Sequence, residues 1–272
     1  MTTAAGPPSS LPIPAGGSPA RPHGCTHAPR PGKRCSSPAH AGGRNSLLTA
    51  VVVFIVEETI AGTDAVQIPK QRGESLLDAA VRYAEERHWD VVPGTWLEAA
   101  DGVRGCSCGD AACPVPGAHP ARPDWAAQAT GSATVVRRMW QQQPTASVLL
   151  PTGRTFDAIS VPETSGFLAL ARMERMGLTL GPVTLTPDRR TEFFVLPGAA
   201  AKVPGLLCRL GWSLSSIDLT VRGEGEFVAG PPTRVGCRGA VQWACRPTSA
   251  NRWLPDVEEL IPSLAYACGR DR

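Results

Sequence analysis

Residues 156–196 read FDAISVPETSGFLALARMERMGLTLGPVTLTPDRRTEFFVL, and the periodicity changes along this stretch set the fold class. Phe156–Val161 is a short apolar run bounded by turn residues, the mark of a buried strand. Glu163–Met176 carries apolar residues at helical spacing and is closed by Gly177, a residue free to take the left-handed turn that ends a helix. Val183–Thr186 and Glu192–Leu196 are rich in β-branched and aromatic residues, and the Pro187-Asp188 turn between them predicts a hairpin. Strand, helix and hairpin in sequence make a mixed chain.

Working outward, Ser75 followed by Asp78 is a capping-box-like start, imperfect because Asp is shorter than Glu, to a helix whose apolar positions are Leu76, Leu77, Ala80, Val81 and Ala84. That helix is expected to end near His88, followed by a short strand over Trp89–Val92. Residues 101–124 are a Cys/Gly/Pro loop, and a second helix runs from about Thr134 to Gln143, where Pro144 stops it. Ser147–Leu150 reads as a strand. Downstream, Ile217–Val221 and Glu226–Ala229 are expected to pair around Gly223–Gly225. Arg238–Ala244 adds a last strand, and Val257–Ala267 closes the chain as a helix. Several hairpins rather than a regular alternation give an α+β class, not a doubly wound one. Trp125, Trp140, Trp212, Trp243 and Trp253 are expected to pack in the core or at its edges.

The chain of 272 residues is long enough for one substantial core plus an extension. Residues 1–55 are dominated by Pro, Gly, Ser and Ala, bury too little apolar surface to offset ordering, and are expected to be disordered. An alternative is a true start downstream at Val56, since valine codons serve as bacterial starts. Residues 56–73 form a linker, and the folded domain spans 74–268. The net charge is only +3, with Lys33, Lys70 and Lys202 the only lysines, so no polybasic field marks a nucleic-acid partner. The longest apolar run, Leu47–Val56, is about half the length a membrane span needs. It is also too far from the start for a signal peptide. A cytoplasmic protein without a membrane partner is expected. Phosphate-binding Walker loops, dinucleotide turns and nucleophile elbows are all missing from the sequence.

The sharpest local motif is Cys106-Ser-Cys108-Gly-Asp-Ala-Ala-Cys113-Pro-Val-Pro-Gly-Ala-His119. Three thiolates and one imidazole satisfy tetrahedral zinc, and the intervening Gly and Pro supply the turns that let four ligands converge. A closed set of this kind is structural, so a zinc knuckle is expected over residues 104–120, with Cys106, Cys108, Cys113 and His119 as ligands. Arg189 and Arg190 in the hairpin turn offer a contact to a nucleotide or nucleic-acid phosphate, or are simply solvated.

The order of these segments resembles the N-terminal primase-polymerase (Prim-Pol) domain of bifunctional DNA primase/polymerases. The resemblance rests on Gly117-Ala118-His119-Pro120 closing a Cys loop, Trp140 before Pro144, and a strand running into Thr152-Gly153. It continues through Ile217-Asp218-Leu219, the Gly223–Gly225 turn and Pro231-Pro232-Thr233. It covers about residues 74–245. The resemblance implies the archaeo-eukaryotic primase fold, an RRM-like sheet with flanking helices, here plus a small zinc knuckle. It also implies DNA or single-stranded nucleic acid as partner, with a helicase or another replication protein alongside, and template-directed nucleotidyl transfer. That chemistry needs carboxylates holding two Mg²⁺ or Mn²⁺ ions.

The positions that match the family's Asp-x-Asp strand hold Ser160 and Pro162, and Thr191 or Glu192 stands where its histidine would. By the resemblance Asp218 is a catalytic acid and Asp157 a second candidate, although its odd offset from Ser160 puts it on the other strand face. Two functions follow. One is a DNA primase/polymerase-like protein with reduced or lost nucleotidyl transfer. The alternative is a non-catalytic, zinc-stapled module that binds nucleic acid or a protein.

Overall fold

The computed structural model describes residues 74–100 and 103–270. The extension and linker expected over 1–55 and 56–73, with the start at Val56, lie outside the described residues. No helix among the described residues is long and apolar enough to cross a membrane.

Helix α1 (Leu76–Arg87) begins as expected: Ser75 Oγ accepts from the Asp78 N–H at 3.1 Å. It ends at His88, which takes a left-handed φ of 56°. Strand β1 (Val92–Pro93) follows, then a hairpin of β2 (Leu97–Ala100) and β3 (Val103–Cys106). That hairpin occupies part of the stretch expected to be loop. Gly105 and Cys106 conceal its second strand, because neither residue carries a β-propensity signal. After a short α2 (Trp125–Gln128) come α3 (Ala133–Gln142) and β4 (Val148–Pro151).

Next comes the unit that organises the molecule. Strand β5 (Asp157–Pro162) leads into α4 (Glu163–Arg175), the hairpin of β6 (Val183–Thr186) and β7 (Arg190–Val195), then α5 (Ala199–Arg209) and β8 (Thr220–Arg222). Helix α5 is hidden in the sequence because Pro204 within it reads as a breaker, but Ala199, Val203, Leu206 and Leu207 share one buried face. The strands pair antiparallel in the order β6-β7-β5-β8, a β-α-β-β-α-β split arrangement, and β12 (Gln242–Cys245) extends the sheet beyond β6.

Alternation divides each strand between two environments. Ile159, Val161, Val183, Phe193 and Val195 face α4, α5 and the closing helix α6 (Val257–Arg270), and form the larger core with Met173, Leu207, Leu260 and Leu264. Gly166 lets α4 lie directly on β7, since a Cβ there would collide with Thr191. On the opposite face, Phe156 stacks on Phe194 with centroids 4.5 Å apart, and Trp89 lies 5.1 and 5.4 Å from those rings. This second core also takes Tyr83 and Ala80 from α1, Trp140 from α3 and Leu150 from β4. Of the five tryptophans expected to pack, Trp253 does not: it is 84% exposed, in an irregular segment before α6.

Strands β8 and β9 (Phe227–Ala229) do not form the expected pair. Strand β8 adds to β5, whereas β9 adds to β4 in a separate sheet ordered β1-β4-β9. The Gly223–Gly225 turn crosses between sheets, and the Thr152-Gly153 break between β4 and β5 clamps it. Thr152 Oγ1 donates to the Gly223 carbonyl at 2.6 Å, and the Thr152 N–H donates to the Glu226 carbonyl at 3.0 Å. Gly153 sits at φ +98° with Glu224 so close that any Cβ would strike its backbone. A small ribbon, β10 (Arg234–Val235) with β11 (Gly239–Ala240), completes the fold. Chain entry to that ribbon is fixed by Thr233 Oγ1, which accepts from the Val148 N–H at 2.9 Å and donates to its carbonyl at 3.1 Å.

Candidate functional site

The larger sheet's second face is apolar at one end and polar at the other. Beyond Phe194, β7 presents Glu192 and Arg190; beyond Ala158, β5 presents Ser160; Thr186, Thr220 and Arg222 complete the floor. Opposite stand Pro114, Val115, Ala118 and His119 of the Cys-rich loop, with Val235, Arg238 and Val241. Between them lies a cavity of 310 Å³.

The Cys-rich wall assembles as its spacing requires. The donor atoms of Cys106, Cys108, Cys113 and His119 all lie within 4.8 Å of one another. His119 Nε2 is 3.3 Å from Cys106 Sγ and 3.4 Å from Cys113 Sγ. Ligands about 2.3 Å from a tetrahedral centre stand roughly 3.8 Å apart, so the cluster can hold a metal ion with little movement. Its surroundings fit as well. The Gly117 N–H donates to Cys106 Sγ at 3.2 Å, which favours a thiolate. His119 Nδ1 lies 2.9 Å from the Pro120 carbonyl; a proton on Nδ1 bonds that oxygen and leaves the Nε2 lone pair facing the sulfurs. Gly109 and Gly117 turn the chain at φ 78° and 76°.

The structure separates the two aspartates. Asp157 is buried at the first residue of β5, on the helix-covered face, where its Oδ2 accepts from the N–H groups of Gly198 at 3.0 Å and Ala200 at 3.4 Å. It therefore caps α5. Asp218 stands beyond Thr220, which pairs with Ser160, so it lies toward the far end of β5, some five residues and roughly 16 Å away. One cation cannot touch both. Asp157→Ala is expected to lower the unfolding free energy by about 1–2 kcal/mol, with Asp157→Asn retaining most of the cap. Urea denaturation of the two variants tests this, and equal loss in both would deny the capping role.

The two arginines also part company. Arg189 occupies the left-handed turn position, φ 63°, and its exposed side chain meets Glu163 Oε2 at 3.2 Å. Arg190 begins β7 and folds into the cleft, its side chain only 23% exposed. There Nε donates to Ser160 Oγ at 3.0 Å, NH2 to the Ser160 carbonyl at 2.9 Å, and NH1 to Asp218 Oδ1 at 2.7 Å.

Thr191 faces the helices and Glu192 faces the cleft, directly across from Ser160. Burial pushes the Glu192 carboxyl up to about 7, against the opposing pull of Arg222 and of the Thr184 hydroxyl, which donates to Oε2 at 3.1 Å. Arg222 Nε lies 3.6 Å from Glu192 Oε1 and makes no hydrogen bond, while NH1 is 3.9 Å from Glu226. Arg222 and Arg238 were not singled out from sequence. Period-two reading of β7 puts Arg190 and Glu192 on one face; only the cross-strand register brings Arg222 to them.

The model of the family described as bifunctional DNA primase/polymerase, N-terminal (Prim-Pol), matches residues 80–255. Among solved structures, the polymerase domain of Mycobacterium tuberculosis Ligase D in complex with DNA is similar at 14% identity, with 70% of this chain and 88% of that chain covered and a TM-score of 0.32. No curated protein matches.

Proposed function

The chain belongs to the family of the N-terminal domain of bifunctional DNA primase/polymerases, and we propose that it is a Prim-Pol-like domain that engages nucleic acid with nucleotidyl transfer reduced or lost. In this reading its split sheet is the RRM-like centre of an archaeo-eukaryotic primase fold, and the Cys₃His cluster holds a structural zinc. The observation that carries the reading is Arg190. Two-metal transfer needs carboxylates converging where β5 meets the cleft. Here that place holds Ser160 and Pro162, and a guanidinium ties Ser160 to Asp218. A divalent cation roughly 5 Å from a guanidinium is repelled by ~7 kcal/mol at an effective dielectric of about 20. Asp218, exposed and already paired, offsets that only in part. An arginine-floored cleft suits phosphate oxygens better than cations.

Primer extension by the full chain, with Mg²⁺ and then Mn²⁺, tests the proposal. The expected outcome is negligible incorporation alongside measurable binding of single-stranded DNA. Metal-dependent extension that disappears in Asp218→Ala would overturn it.

A further inference from the structure

A buried carboxylate facing an under-used guanidinium on the floor of an open cleft is a poor arrangement for stability, and it poses a question of purpose. Arg190 is committed, with Nε, NH1 and NH2 all donating within the protein. Arg222 is not: its Nε makes no hydrogen bond, and its two acidic neighbours stand at 3.6 and 3.9 Å, too far for one. Its side chain is 37% exposed into the 310 Å³ cavity, where Thr220 and Arg238 supply further donors.

We propose that this floor is a proton-gated phosphodiester site, in which a phosphate oxygen draws Arg222 from Glu192 and Glu192 takes a proton from solvent in exchange. The inference rests on the nucleic-acid reading above and adds its regulation. The charge balance is direct. With Glu192 ionised, Arg222 is neutralised in place, and an incoming phosphate meets a buried negative charge. With Glu192 protonated, Arg222 and Arg190 face the cleft beside a neutral carboxylic acid that can itself donate. The groups facing Glu192 from each neighbouring element are Ser160 of β5, Thr184 of β6, Arg190 of β7, Asp188 of the β6–β7 turn and Arg222 of β8. Glu226 approaches Arg222 from before β9, and His119 and Arg238 line the far wall. Glu192 itself is buried, and burial raises its carboxyl to about 7.

A labelled oligothymidylate is the probe, because its phosphodiesters keep one charge each across the range. Wild type should bind about tenfold more tightly near pH 6 than near pH 8.5. Glu192→Gln should be nearly flat, matching the acid form of wild type throughout, and Arg222→Ala should be about tenfold weaker near pH 6, where the arginine is free to meet phosphate. Histidine titration elsewhere would survive in Glu192→Gln, so the difference between the two profiles isolates Glu192. Calorimetry of the unsubstituted protein in buffers of different ionisation enthalpy gives an independent reading: binding near pH 7.5 should take up a proton. If binding occurs without proton uptake, or with the same pH profile in Glu192→Gln, the gate is wrong and the nucleic-acid reading stands. If no oligonucleotide binds at any pH, both fall.

Discussion

Cys113→Ser is expected to reduce bound zinc from about one ion per chain to near none and to loosen the whole segment from Cys106 to Pro120. Within that segment only Cys106, Gly117 and Ala118 are buried. Fixing its backbone costs about 1–2 kcal/mol per residue, whereas the hydrogen bonds that tie it down return about 1 kcal/mol each. Those ties cluster at a few points: the Thr95 N–H and hydroxyl both donate to the His119 carbonyl and the His119 N–H donates to the Thr95 hydroxyl, Ser107 exchanges bonds with Trp96, the Gly236 N–H donates to Pro116, and Arg238 donates to Pro114. Hydrophobic burial is too small to close the gap, and the proposed zinc would supply what is missing. A large loss of local stability is expected for the variant or for chelator-treated wild type, because the binding free energy of a structural zinc is folding free energy for the segment that holds it. The loss should be confined to this wall, because neither large core draws on it. Metal analysis of purified protein together with amide hydrogen exchange over residues 106–120 decides it. Full zinc content in Cys113→Ser would remove the knuckle.

What the sequence disclosed and what it hid follow from how local each feature is. The Ser75 N-cap of α1, the end of α4 at Gly177 and the β6–β7 hairpin are encoded within a few residues, and each stands close to where its local signals put it. The metal donors are legible for the same reason, since four ligands within fourteen residues must converge if they bind at all. Partner choice in the sheets was not legible. Nothing in Thr220–Ala229 reveals that its two strands belong to different sheets, because the decision is made by Thr152 and Gly153, seventy residues earlier in the chain. The same limit applies to the cleft. Arg190 reads as a turn residue until its register with Pro162 places its guanidinium on Ser160. The motif residues Thr152, Gly153 and Thr233 turn out to clamp strands together, while Ser160 and Pro162 stand at the positions that the resemblance matches to an Asp-x-Asp pair.

Glu192→Gln is expected to make the protein more stable at mildly alkaline pH while leaving it nearly unchanged in acid. The folded state holds the Glu192 carboxyl at about 7, against an ordinary value of 4.5, chiefly through burial. Between those two values the folded protein binds a proton that the unfolded chain has released, so stability falls as pH rises. The neutral carboxyl's contribution is whole below about 4.5 and gone above about 7, and the difference amounts to about 3 kcal/mol. Glutamine keeps the shape, accepts from Thr184 and carries no charge to desolvate, so it should recover up to about 3 kcal/mol near pH 8. Arg222→Ala should act in the opposite sense, because its guanidinium lowers the cost of the ionised form. Without it the carboxyl rises further and the alkaline loss deepens. Urea unfolding of the three proteins from about pH 5 to 8.5 gives the slopes directly. Parallel curves for wild type and Glu192→Gln would show that the carboxyl is ionised at no cost, and the cleft floor would then have no proton to exchange with a ligand.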